Sequence, residues 1–327
     1  MIKKLLSRKT YLCAVFAVIA AVNLAGCAAL DTKQGQWIFN PTDRTWGDTT
    51  TVASRMQEAY IEFASEVTGK PAKLHALISP ASSNETANET GNESVKKTLN
   101  TGAPVLLYLH GARWNVNGSA YRIQRMQELG FTVIAPDYRG FGKTSAETPS
   151  EKMAFEDAMA TWKWIGQKYP NQPRYIFGHS LGGAIAIDLA SKVTDEAGTI
   201  VEGTFSSIPD VVANMPWGWL PVSALITQRF DSVSKVAKIG SPLLVVHGAL
   251  DATIAPKLGR KLFDAAVEPK RFVMVDGGSH HNTNSVGQGA YRAALAELFG
   301  LPRAASSTTP LLSRTQPPQS TQNQAAL

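Results

Sequence analysis

Three side-chain types that together activate a hydroxyl for attack on a carbonyl occur in this chain, each just after an apolar run. The serine stands in Gly178-His179-Ser180-Leu181-Gly182, between the β-prone Arg174-Tyr175-Ile176-Phe177 and the small, apolar, helix-compatible Gly183-Ala184-Ile185-Ala186-Ile187-Asp188-Leu189-Ala190. A strand that turns abruptly into a helix at Ser180 leaves the hydroxyl exposed at the bend, and the flanking glycines let the backbone make that bend without side-chain clashes. A hydroxyl is a weak nucleophile until a base takes its proton, and the base needs a third group to fix its tautomer. Asp251 closes the loop His247-Gly248-Ala249-Leu250-Asp251, and Gly277-Gly278-Ser279-His280-His281-Asn282 follows the last apolar run. Both loops lie beyond strand C-terminal ends, where open parallel sheets bind ligands.

The elements that must position these residues alternate along the chain. Strands are predicted at Leu74–Ile78, Val105–Leu109, Phe131–Ala135, Thr199–Thr204, Pro242–Val246 and Arg271–Val275, besides the one before Ser180. Helices are predicted at Ala120–Leu129, at Ser150–Lys168 with Ser150 as its cap, near Leu258–Ala266 and near Gln288–Phe299. Fully apolar strands separated by helices indicate an α/β fold whose mostly parallel, doubly wound sheet is covered on both faces. Residues 206–240 form a small cap containing Met215-Pro216-Trp217-Gly218-Trp219-Leu220-Pro221 and an amphipathic stretch Val222–Phe230. Trp217 and Trp219 either line an apolar pocket or pack the cap on the body.

His110-Gly111, Asp137-Tyr138-Arg139-Gly140-Phe141-Gly142, Gly178–Gly182, His247-Gly248 through Asp251, and Gly277–His280, taken in this order, resemble the serine-hydrolase branch of the α/β-hydrolase superfamily. The likeness extends over roughly residues 70–300 and is to the small-cap serine aminopeptidase, lysophospholipase and depalmitoylase-like group. It implies Ser180 as nucleophile and Asp251 as the orienting acid, with Asp210 as the competing acid. It places the base at His280, with His281 as the alternative beside it. Backbone amides of Leu181 and, by the resemblance, Ala112 would stabilise the oxyanion. The remaining histidines read as loop or strand residues: His110 and His247 bonded within their loops, His179 directed away from the serine, and His75 on an early strand. Asp137 and Arg139 read as loop braces, and no spacing suggests a metal or other cofactor.

The ends carry different information. Lys3, Lys4, Arg8 and Lys9 precede an apolar stretch from Tyr11 to Leu24, too short to span a bilayer comfortably, and then Leu24-Ala25-Gly26-Cys27. Residues 1–27 resemble a bacterial lipoprotein signal peptide, which implies lipidation of Cys27 and loss of Cys13. Ala28 after the cysteine implies outer-membrane sorting, with the protein facing the periplasm. Residues 28–70 are a lead-in, 71–300 the catalytic domain, 80–102 a polar flexible insertion, and 301–327 a Pro-, Ser- and Gln-rich disordered tail. Sequons at Asn84, Asn88 and Asn92 read as drift in the low-complexity insertion. The four leader cations together with Arg303 and Arg314 account for the net charge of +6, so the body is near neutral and nucleic-acid binding has no electrostatic support. With no thiol pair left after processing, the body depends on its hydrophobic core.

The expected activity is a lipid-anchored serine hydrolase that cleaves a small-molecule or lipid ester through an acyl-enzyme. The alternatives are a peptidase or acyltransferase with the same triad, and a catalytically silent envelope-binding protein on the same fold.

Overall fold

Val105–Leu109 reads Val-Leu-Leu-Tyr-Leu, apolar on both faces of the strand, so it can be satisfied only inside a sheet covered on both sides. In the computed structural model this run is the third of eight strands, and all five residues are buried. The structure describes residues 26–43, 48–81, 102–216, 218–220 and 222–301. The leader before residue 26, most of the predicted insertion (82–101), Trp217 and the tail from 302 lie outside the described residues.

The strands are β1 (Gln57–Ala64), β2 (Pro71–Ser79), β3 (Val105–Leu109), β4 (Thr132–Pro136), β5 (Arg174–His179), β6 (Gly198–Glu202), β7 (Leu243–Gly248) and β8 (Lys270–Val275). Their order across the sheet is β1-β2-β4-β3-β5-β6-β7-β8. β2 runs antiparallel to β1 and β4, and every later neighbouring pair is parallel. The fold is therefore the α/β, mostly parallel sheet expected from the alternation of apolar strands and helices.

The helices are α1 (26–39), α2 (Thr49–Ala53), α3 (Ala120–Glu128), α4 (Glu151–Lys168), α5 (Leu181–Ala190), α6 (Ile208–Ala213), α7 (Pro256–Ala265), α8 (Thr283–Val286) and α9 (Gln288–Phe299). Alternate residues of β3 enter opposite cores. Val105, Leu107 and Leu109 join residues of α4, α5 and α7, whereas Leu106 and Tyr108 join residues of α3 and α9. α5 is buried at all ten positions, as its small apolar sequence requires. Ser150 caps α4, its hydroxyl accepting the Met153 amide at 3.3 Å.

Two regions depart from the sequence-based expectation. The lead-in contains α1, which is bonded to the cap through Gln34 and Asp31, and the edge strand β1. Within the cap, the amphipathic stretch Val222–Phe230 has no regular element: Val222–Leu225 is one 3-10 turn and the chain is irregular beyond it. The reason is tertiary. Gln34 of α1 donates to the Leu225 carbonyl at 2.6 Å and accepts from the Thr227 amide at 2.8 Å, taking backbone groups a helix would use internally. Phe230, at φ 43°, is drawn into the core against Phe39 and Phe155. Trp219 neither lines a pocket nor packs the cap: it stands 81% exposed.

Candidate active site

β5 ends at His179 and α5 begins at Leu181, so Ser180 alone makes the turn, at φ 55° and ψ −120°. A non-glycine residue held there costs about 1–3 kcal/mol and persists only when its surroundings over-determine it. Here they do. The Ser180 amide donates to the Glu202 carbonyl at 2.9 Å, and the Ser180 carbonyl accepts from the Thr204 hydroxyl and the Gly183 amide, each at 2.9 Å. The flanking glycines are needed for space. A Cβ on Gly178 would lie 2.2 Å from the Gly182 carbonyl oxygen, and one on Gly182 would lie 2.1 Å from that of Leu109.

His280, in the loop after β8, has Nε2 3.0 Å from Ser180 Oγ and Nδ1 2.8 Å from Asp251 Oδ2. Because the carboxylate only accepts, Nδ1 carries hydrogen, which leaves the Nε2 lone pair facing the serine hydroxyl. Asp251 follows β7 and is buried; its Oδ1 accepts the amides of Thr253 at 2.9 Å and Ile254 at 2.8 Å. Burial would raise its pKa, but the hydrogen bonds from His247 and His280 and from the Ile254 amide outweigh it and hold the carboxylate ionised well below its ordinary range. Of the two acids weighed from sequence, Asp251 is the one that touches an imidazole. Asp210, in the first turn of α6, bonds instead to Lys261 at 2.9 and 3.0 Å and to the Ser206 hydroxyl at 2.5 Å. Of the two histidines, His281 turns its ring toward Trp114 and the cleft.

The loop after β3 faces the serine from the other side: a Cβ on Gly111 would be 3.3 Å from Ser180 Cβ. Among the described residues, neither the Ala112 amide nor the Leu181 amide donates a hydrogen bond elsewhere. His110 braces this loop, its Nδ1 donating to the Gly111 carbonyl at 2.7 Å, while the Tyr138 hydroxyl donates to the His110 carbonyl at 2.9 Å. His247 Nε2 donates to the Ile254 carbonyl at 2.9 Å. Asp137 accepts the Val116 amide and faces His75, and Arg139 is buried among Asp157, Glu156 and Ser65. Both stand away from the serine. No group of three or more His, Cys, Asp or Glu side chains among the described residues is arranged to hold a metal ion.

Sequence reasoning overlooked the support behind His280. Arg122 of α3 donates from Nη2 to the carbonyls of His280 and His281, both at 3.1 Å, and from Nε to Glu202 at 3.0 Å. Glu202, buried at the end of β6, also accepts the Tyr291 hydroxyl at 2.5 Å. His179 completes the clamp, its Nε2–H donating to the His280 carbonyl at 3.1 Å. The available signal was Glu202 itself, an acid closing the otherwise apolar strand Gly-Thr-Ile-Val-Glu.

Above the serine lies a cleft of about 430 Å³. One wall is apolar, built from Ile38, Phe205, Ile208, Val211, Val212 and Met215, and among the described residues no carboxylate lines the cleft. Trp37 of α1 stands at its edge.

Comparison with known proteins agrees with this architecture. Residues 102–231 match the family described as serine aminopeptidase, S33 (Hydrolase_4). The chain is 31% identical over 210 residues to the lysophosphatidylserine lipase ABHD12 of Danio rerio, covering 58% of this chain and 54% of that protein. It is 32% identical over 181 residues to an uncharacterized protein of Mycobacterium tuberculosis, covering 55% and 63%. The chain thus spans between about half and under two-thirds of these relatives' length. Among solved structures, an esterase of Pyrococcus furiosus superposes with a TM-score of 0.58 at 17% identity, covering 80% of this chain and 98% of the esterase. The esterase domain of a Rhodothermus marinus protein gives 0.51 at 19% identity, covering 75% and 100%. These two likenesses are of fold.

Proposed function

We propose that this chain, a member of the α/β-hydrolase superfamily, is a serine hydrolase that cleaves carboxylic esters through an acyl-enzyme. The observation that carries the reading is the unbroken run of hydrogen bonds from Ser180 Oγ through His280 to Asp251, starting at a residue held in a strained bend. In the acylation step, His280 Nε2 takes the hydroxyl proton as Oγ attacks the carbonyl carbon. The oxyanion receives the amides of Leu181 and Ala112, each such donor contributing about 3 kcal/mol in comparable sites. Collapse of the tetrahedral species breaks the ester bond, and His280 returns the proton to the departing alcohol oxygen. Water, activated by the same imidazole, then releases the acid and restores Ser180.

The apolar wall suits an acyl chain, and similarity to a protein named as a lysophosphatidylserine lipase supports a single-chain lipid ester as substrate. A peptidase acting at an amino terminus would need an anion for the substrate amine, and the cleft lining holds Arg113, Arg122 and His281 instead. Cys27, exposed near the start of α1, is the proposed lipidation point that would hold the protein at the periplasmic face of an outer membrane. Membrane fractionation of Cys27→Ser tests that separately; unchanged anchoring would count against it.

The activity is tested with a fluorophosphonate probe and p-nitrophenyl esters. Labelling at Ser180 is expected, and Ser180→Ala should lower ester hydrolysis at least about 10,000-fold. Folded protein that neither labels nor hydrolyses esters would overturn the reading.

A further inference from the structure

Among the described residues, twelve large apolar side chains are exposed, and five of them fall in two segments that each contribute a residue to the cleft lining. Trp37 belongs to α1; Met215, Trp219, Leu220 and Leu225 belong to the cap. Trp37 and Met215 also line the cleft, so the exposed apolar surface runs up to its mouth. The two segments are fastened together. Besides the Gln34 bonds to Leu225 and Thr227, the Gln228 side chain donates to Asp31 at 2.7 Å. Scattered exposed apolar residues are ordinary, but a patch at the rim of an apolar cleft marks a surface meant to be covered.

The course of the chain says what covers it. α1 leads from this rim back to Cys27, ten residues from Trp37 and thus about 15 Å along a helix. Immediately before it, the sequence from Tyr11 to Leu24 is apolar. With lipid on Cys27, as proposed above, the attachment to a bilayer would enter the fold through α1, beside the rim. Trp219 suits such a position, because tryptophan favours the boundary between headgroups and acyl chains. Exposed Lys33 and Arg113 lie next to Trp37 along the chain and in the cleft lining, where lipid headgroups would meet cations.

We infer that the rim formed by Trp37, Met215, Trp219, Leu220 and Leu225 docks on a lipid bilayer and that single-chain lipid esters pass from it directly into the cleft. This deepens the ester-hydrolase reading and rests on it. The rim shelters an acyl chain on its way from membrane to serine, so the chain never crosses water. A short soluble ester needs no such passage.

The test uses the full chain reconstituted in phosphatidylcholine vesicles, as wild type and as the double variant Trp219→Ser, Leu225→Ser, both sites being exposed. Hydrolysis of p-nitrophenyl butyrate in solution should stay within about twofold of wild type, as surface substitutions usually do. Hydrolysis of a monoacylglycerol embedded in the vesicles should fall about tenfold or more, because two large apolar groups no longer enter the bilayer. Equal rates for both proteins on the vesicle substrate would overturn the inference. A second measurement does not depend on catalysis: brominated phosphatidylcholine should quench wild-type tryptophan emission more than that of Trp219→Ser. Equal quenching in the two would also overturn it. If Ser180 fails to label while the quenching difference is present, the ester-hydrolase reading fails and the docking surface stands.

Discussion

At the scale of single residues, an imidazole is useful only when its ring is held, and here the holding is done through backbone carbonyls. Arg122 reaches the carbonyls of both His280 and His281 while its Nε is bound to the buried Glu202. In the proposed mechanism it is therefore a positioning residue rather than a catalytic one. Removing the guanidinium entirely would leave Glu202 as an uncompensated buried charge, costing about 3–5 kcal/mol and confusing stability with activity. Arg122→Lys keeps the charge but loses the planar fork. It should lower kcat for p-nitrophenyl esters roughly 10- to 100-fold, the scale of a small misplacement of a catalytic group. KM should stay within about twofold, since the side chain need not touch the ester in this scheme. A raised KM with unchanged kcat would make Arg122 a substrate contact instead. His281→Ala, by contrast, should retain most activity, because Ser180 and Asp251 both bond to its neighbour.

At the scale of elements, the turn from β5 into α5 is where sequence and geometry constrain each other most tightly. A Cβ on Gly182 would meet backbone oxygens of Leu109 and His110 at 2.1 and 2.5 Å, and these belong to the end of the neighbouring strand and its loop. They cannot retreat without disturbing the β3–β5 pairing. Gly182→Ala should therefore destabilise the fold by about 3 kcal/mol, the upper part of the range for overpacking, measured by denaturant unfolding. A loss below about 0.5 kcal/mol would show that the elbow relaxes more freely than its contacts imply. This turn was legible in the sequence because everything that defines it lies within a few residues. The central strands were legible for the same reason, being apolar at every position. β1 carries a period-two signal in Ala59, Ile61 and Phe63 against Glu58, Tyr60 and Glu62, yet only Ile61 is fully buried, so its strand character is weak beside its neighbours'. The irregular course of Val222–Phe230 was not legible, because it follows from the side chain of Gln34, almost two hundred residues away. The Arg122–Glu202 pair was hidden likewise, its partners being 80 positions apart.

At the scale of the whole molecule, long-range burial of neutral histidines decides how the protein meets acid. Burial holds the His179 imidazole well below the ordinary histidine pKa, and the positive charge of Arg122 and the nearby His280 push the same way. His110 is also lowered, by burial that outweighs the attraction of Asp137. Both stay neutral in the fold while the same groups in the unfolded chain take up protons below about pH 6.5. The unfolded state then binds more protons than the native one. Stability is full above that pH and falls as pH drops below it, by about 1.4 kcal/mol per pH unit for each such histidine, until its own folded pKa is reached. Asp251 has the opposite kind of shift. As a carboxylate with a depressed pKa, its contribution is present above about pH 4 and is lost only below that. The first loss of stability on acidification should therefore come from these buried histidines, before Asp251 is affected. Asp157 works against this decline, because burial raises its carboxyl to about 7 and the fold holds a proton there that the unfolded chain has released. His281 is lowered by burial as well. Denaturant midpoints followed by tryptophan fluorescence from pH 7 to pH 5 should therefore show a decline no steeper than about two protons' slope, three histidines less one carboxyl. His179→Gln, whose amide can still donate to the His280 carbonyl, should flatten that slope by about one proton. An unchanged slope in the variant would mean that His179 accepts its proton within the folded protein and that the buried clamp tolerates the added charge.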